Sequence, residues 1–182
     1  QTASLAKQTG IQLNNKKVLA EVAKVSGQLR LQYQNNPELI AKAVVQTQKL
    51  GITLEQAAKA SSHLLDFESS ISSELEAELL TGKEINLERA RAAALAGDQI
   101  TLAEELNKQV GAAAEFTKMN VIQQKSLAEA VGMTTDELAN TLRKREEAIA
   151  SAAALATGMD AMAKLTGKSR EEQLKQLKQI HV

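Results

Sequence analysis

Cysteine is absent from this 182-residue chain, which removes disulfide staples, thiolate zinc sites and a cysteine nucleophile from consideration. Aromatic residues make up only 2% of it (Tyr33, Phe67 and Phe116, with no tryptophan), so a core must be built from leucine, isoleucine, valine and alanine. Proline occurs once, at Pro37. An excess of charge of either sign is also missing: 22 basic residues face 22 acidic ones, so no global field draws the chain to nucleic acid or to an anionic membrane. No run of about 18 uncharged apolar residues occurs, so no segment is expected to span a bilayer. The opening Gln1-Thr2-Ala3-Ser4 has neither methionine nor a signal-peptide pattern, the expectation for an internal or processed segment of a larger protein.

What remains is ordinary globular material, 43% apolar and 24% charged, written almost wholly in helix signals. Asn36-Pro37 has the form of an N-cap followed by proline at the first helical position. Capping boxes, in which a Ser, Thr or Asn precedes Glu or Gln by three residues, are expected at Thr53/Gln56, Thr101/Glu104, Asn120/Gln123, Thr134/Glu137 and Ser169/Glu172. Gly10, Gly51, Gly82, Gly97, Gly111, Gly132 and Gly167 each close an apolar-periodic stretch, as C-cap glycines do. These signals predict helices over 1–9, 15–34, 37–50, 54–81, 87–96, 102–110, 120–131, 135–165 and 169–181. Gly27 and Gly158 fall inside helical patterns and read as kinks or breaks.

Two of these helices are long. In 54–81 the stripe runs through Leu54, Ala57, Ala58, Ser61, Leu64, Leu65, Glu68, Ile71, Leu75 and Leu79; in 135–165 it runs through Leu138, Leu142, Ile149, Ala152, Ala156, Met159 and Ala163. Both read first as core faces whose small residues allow close helix approach, with an intermolecular coiled-coil seam as the alternative. Leu50-Gly51-Ile52-Thr53 is echoed by Val131-Gly132-Met133-Thr134, and Thr81-Gly82-Lys83 by Thr166-Gly167-Lys168. A duplicated unit of about 80 residues would produce this, and so would two helices capped alike, which is the simpler reading. The expected fold is all-α: short antiparallel helical hairpins with two longer amphipathic helices, organised as 1–50, a helical core over 51–145, and 146–182.

Catalytic chemistry finds little purchase. Thr166-Gly167-Lys168-Ser169 has the tail of a phosphate-binding loop, but Met162 stands where the first glycine is needed and a helix precedes it instead of a strand. The only histidines, His63 and His181, lie at distant points in the chain, and Asp66 one turn after His63 makes at most a fragment of a metal site. Glu104-Glu105, Glu146-Glu147 and Glu171-Glu172 are adjacent and so diverge by about 100° on a helix. Glu74 and Glu78 share a face but lack a Glu-x-x-His partner. The acidic stretch Asp66–Glu88 is a solvated face or a surface for a basic partner, while Arg143-Lys144-Arg145 lacks the aromatic platform that nucleic-acid binding uses. No catalytic, cofactor-binding or metal-binding residue is assigned. Enzymatic activity is not expected, nor is any cofactor.

From about Leu50 to Arg145 the wording resembles helical segments of tail tape measure proteins of tailed bacteriophages. The residues that carry it are Phe67-Glu68-Ser69-Ser70-Ile71, Ala77–Lys83, Asn86–Arg91, Ala94–Asp98, Gln109-Val110-Gly111, Phe116, Met119–Gln124, Leu127–Thr134 and Glu137-Leu138. The resemblance implies a structural protein of the tail lumen that helps set tail length and scaffolds tube assembly. It implies a homo-oligomer, often a trimer, that contacts tail-tube and baseplate or tail-tip proteins. It also implies assembly in the host cytoplasm and a final place in the virion. Peptidoglycan-cleaving or membrane-inserting segments found in some members have no counterpart here. A competing reading starts from Ala94-Leu95-Ala96-Gly97-Asp98, which looks like the turn of a tetratricopeptide-type helix pair. Residues 84–140 would then form a helical-repeat module that docks a partner protein, although the repeat's aromatic and proline positions are missing.

Overall fold

A computed structural model describes residues 15–166, which form ten helices and no strand among the described residues. They are α1 (Asn15–Lys24), α2 (Gly27–Gln32), α3 (Pro37–Lys49), α4 (Leu54–Leu65), α5 (Phe67–Thr81), α6 (Glu88–Ala96), α7 (Gln99–Val110), α8 (Ala113–Phe116), α9 (Val121–Ala130) and α10 (Thr135–Thr166). The all-α class is therefore as expected. The helices foreseen at 1–9 and 169–181, the stops at Gly10 and Gly167, and the Ser169/Glu172 box lie outside the described residues.

Local caps account for most boundaries. Asn36 Oδ1 accepts from the Glu38 and Leu39 amides at 2.9 and 3.3 Å, with Pro37 opening α3. The boxes at Thr53/Gln56 and Asn120/Gln123 form in both directions, and Thr134 and Glu137 exchange the same two bonds at 2.7 and 3.2 Å. Each relieves amides that a helix start leaves without intrahelical partners. Thr101/Glu104 does not form. Asp98 caps that helix instead, accepting from the Ile100 and Thr101 amides, so α7 begins at Gln99 and the Thr101 hydroxyl donates to Asp98.

Two expected helices are divided. The predicted 15–34 helix breaks at Val25-Ser26, where the Ser26 hydroxyl caps α2 and Gly27 becomes its first residue. The predicted 54–81 helix breaks at Asp66, whose ψ of 82° carries the chain out of the helical region between α4 and α5. Only one long helix therefore remains, the 32-residue α10, which passes through Gly158 without a break. The single turn α8, unforeseen, seats Phe116 in the core.

The residues up to Glu146 form one compact unit, and Glu147–Thr166, the rest of α10, belongs to a second. The first unit has two hydrophobic clusters. The larger gathers Leu64, Leu87, Leu102, Leu106, Leu127, Leu138 and Leu142 with Phe116 and many fully buried alanines. The smaller joins Val18, Val25, Leu29, Ile40, Val44 and Leu54 from α1 to α4. Each fully buried leucine contributes about 1.5–3 kcal/mol, whereas the alanines mainly permit close approach of the helices. Direct helix pairs include α5 on α9, α6 on α7, α4 on α6 and α1 on α3.

The echoed turns are alike in three dimensions. The Ile52 amide reaches the Thr47 carbonyl and the Met133 amide reaches that of Ala128, across Gly51 and Gly132 at φ of +82° and +71°. Packing is reciprocal as well. Gly51 lies against the α10 backbone at Thr141 and Arg145, while Gly132 lies against α4 at Ala60 and His63. The spacing from Ala60 to Thr141 equals that from Gly51 to Gly132, so each turn glycine meets the other unit's helix at the matching position.

Alanine at Gly51 would add left-handed strain and drive its Cβ into the Thr141 carbonyl, whereas Gly82, at φ +67°, has open space around it. Gly82→Ala should therefore cost about 1–2 kcal/mol from strain alone, and Gly51→Ala about 1–3 kcal/mol more. Urea denaturation of the two variants checks this; equal losses would mean that the turn–helix contact carries no stability.

Candidate functional site

Four of the titratable residues singled out in the sequence, Glu74, Glu78, Glu105 and Arg145, are used to hold the fold together. Glu74 and Glu78, which share a face as expected, both accept amides of the loop after Gly82. Glu74 Oε1 takes the Leu87 N–H and Glu78 Oε1 the Ile85 N–H, each at 2.8 Å. Glu74 Oε2 also meets Arg91 Nη2 at 2.5 Å, and Arg91 Nη1 donates to the Ser70 hydroxyl at 3.1 Å. This ion pair is almost fully enclosed, its side chains 10% and 11% exposed. Glu105 is buried beside Lys108 (2.7 Å) and Arg89 (3.7 Å), while Glu104, its neighbour in sequence, faces solvent.

Arg145 bonds the Asn107 side chain at 2.8 Å and the carbonyls of Asn107 and Gly111, so this member of the basic run covers the C-terminal end of α7. His63 is half-buried against Gly132, and its Nε2 has no hydrogen-bond partner. Asp66 meets it through the backbone, amide to carbonyl at 3.2 Å. Among the described residues no group of three or more His, Asp or Glu could hold a metal, and no helix is long and apolar enough to cross a membrane. His181 and Glu171-Glu172 lie outside the described residues, as does all but the first residue of Thr166–Ser169.

A shallow groove of about 480 Å³ lies beside α2 and α4, with Gln28, Gln32, Glu55, Lys59, Ser62 and Gln99 along it. Glu55 already accepts the Ser26 amide at 2.7 Å. The lining is mixed and uncharged on balance.

The feature that departs most from expectation is α5. Ile71, Leu75 and Leu79 of the expected stripe were read as core, yet they are 45%, 59% and 84% exposed, and Phe67 on the same side is 46% exposed. The buried face is Ser70, Glu74 and Ala77. These polar and small residues also recur at helical spacing, and in the sequence they were the one signal of a rival face. The small face lets α5 approach α9 closely, and the carboxylate on it finds Arg91. Leu65 before the break is exposed too. Gln123 Nε2 bonds the Leu80 carbonyl at 2.8 Å, which brings the first turn of α9, with exposed Val121 and Ile122, beside the last turn of α5. Together these side chains form an exposed apolar ridge along α5.

The ionised forms of four carboxylates, Asp98, Glu105, Glu115 and Glu137, are favoured. Burial pushes Asp98 up, but bonds from the Thr101 hydroxyl and the Thr101 and Ile100 amides outweigh it and hold it below the usual range. The Lys108 ammonium holds Glu105 down, and the Lys83 ammonium does so for Glu115. Glu137 is lowered chiefly by the Thr134 amide. Comparison of the chain with protein-family models, with curated proteins and with solved structures gives no match in any of the three.

Because these four folded-state pKa values lie below the unfolded ones, their stabilisation is complete above the unfolded carboxylate range and is lost as pH falls through the folded values. The urea midpoint should therefore hold near neutrality and decline below about pH 5. Asp98→Asn should make the decline shallower. A midpoint that rises on acidification would contradict these assignments.

Proposed function

We propose that this chain is a structural, protein-contacting segment of a phage tail tape measure protein, which helps set tail length and scaffolds tube assembly. The observation that carries this reading is a coincidence of boundaries. The stretch with the family's wording, Leu50 to Arg145, is the stretch that builds the larger hydrophobic cluster, from Ile52 to Leu142. That stretch lies within one compact unit, which starts before it and runs to Glu146. The side chains add to the reading, since the carboxylates and the Arg145 guanidinium serve caps and loops and leave no convergent reactive group among the described residues.

On this reading the partners are further copies of the chain, as in the family's oligomers, which are often trimers, together with tail-tube and baseplate or tail-tip proteins. The place of action is the tail lumen, reached after assembly in the host cytoplasm. A second reading, a helical module that docks a partner protein outside any tail, draws on the exposed ridge of α5 and on α6 and α7 packing across the Gly97 turn.

Tail length tests the role. As one continuous helical rod, 182 residues would span about 270 Å at about 1.5 Å each. A compact unit of this size spans only about 30–40 Å, and the 32 residues of α10 span about 48 Å. In-frame deletion from the parent protein should therefore shorten tails by well under the rod value in electron micrographs, or block assembly. Infectious virions with tails of normal length would defeat the ruler role and favour the docking module.

A further inference from the structure

The ridge of α5 is specific about what it will accept. Phe67, Ile71, Leu75 and Leu79 follow one another at four-residue steps, so they line one side of the helix over about 18 Å. Two glutamates lie along the same side. Glu68 precedes Ile71 by three residues and Leu75 by seven, and Glu76 precedes Leu79 by three. Both are exposed, and neither enters an ion pair among the described residues. The other two glutamates of α5 are committed inside the fold, Glu74 to Arg91 and Glu78 to the Ile85 amide. No lysine or arginine occurs anywhere in α5. The helix also cannot roll to hide its apolar side, because that would strip Glu74 from its enclosed partner.

We propose that this ridge docks an amphipathic helix of a partner protein whose apolar stripe is flanked by lysine or arginine. Four large side chains in a row supply the anchors that helix-on-helix recognition uses, and about 12–15 residues of partner helix would cover them. The flanking charge selects among occupants. A second copy of α5 would bring its own Glu68 and Glu76 against those of the first, with no base to answer either pair. A basic flank converts the same positions into ion pairs at the rim, which speeds encounter and fixes register. Val121 and Ile122 lengthen the contact at the α9 end. The inference rests on the reading of this chain as a protein-contacting segment and adds the chemistry of the contact.

Two fluorescent peptides of about 20 residues, long enough to be helix-competent, test it with the full chain. They share one leucine and isoleucine stripe; one is flanked by lysine and the other by glutamate. The lysine-flanked peptide should bind, with the glutamate-flanked one about tenfold weaker or worse by fluorescence anisotropy. Leu75→Ser with Leu79→Ser should weaken binding of the first by at least about tenfold. Glu68→Lys with Glu76→Lys should reverse the preference. All four positions are exposed, and far-ultraviolet circular dichroism checks that each variant stays folded. Equal affinity for both peptides, binding of neither, or indifference to the ridge substitutions would overturn the proposal. So would a dimer in light scattering that the serine variants turn into monomer, since a second copy would then cover the ridge. Tail length reads the role and this titration reads the ridge, so either can fail without the other.

Discussion

The Glu74 carboxylate is the point on which the rest of this structure depends. One oxygen holds Arg91 of α6 at 2.5 Å and the other holds the Leu87 amide at 2.8 Å, in a setting nearly closed to water. A buried carboxylate left alone costs several kcal/mol, so these contacts fix both the rotation of α5 and the path of the loop that follows it. With Glu78 on the Ile85 amide, the loop from Gly82 to Leu87 carries Ile85 and Leu87 into the core although it has no regular structure. Ser70 and Ala77 then face inward beside Glu74, and the large apolar residues of α5 are left on the outside.

That inversion explains what could and could not be read from the sequence. The ends of helices were legible because they are set by local chemistry. Asn36-Pro37, the reciprocal boxes at Thr53, Asn120 and Thr134, and the positive φ of Gly51, Gly82, Gly97, Gly111 and Gly132 depend on residues within a few positions of one another. Asp66 was missed because neither glycine nor proline marks the break, and its side chain makes no capping bond. Thr101 lost its expected box to Asp98, a stronger cap three residues earlier. The buried side of α5 was beyond a periodicity argument. A stripe says which residues share a face, but the choice of face was made by Arg91, on another helix. Arg145 is similar: its place over the end of α7 depends on packing of α10 that no local pattern contains.

The balance of charge and the shortage of aromatics acquire a structural meaning in this light. A core rich in alanine brings helices close but buries modest area for each contact, so polar links between helices carry much of the specificity. Glu74–Arg91, Arg89–Glu105 and Arg145–Asn107 are such links. The charged and apolar residues left on the outside of α5, Glu68 and Glu76 with Phe67, Ile71, Leu75 and Leu79, lie along one side of that helix.

The central claim is the orientation of α5, and the absence of cysteine makes it directly measurable. Single cysteines introduced as Leu75→Cys and Ala77→Cys probe opposite faces of the same helix, 59% and 0% exposed in the native residues. Under native conditions the thiol at 75 should react with a maleimide at close to the rate of an unfolded control, and the thiol at 77 slower by at least about a hundredfold, as expected when labelling waits on local opening. Fast labelling at 77 with protection at 75 would place the apolar stripe in the core and contradict the account.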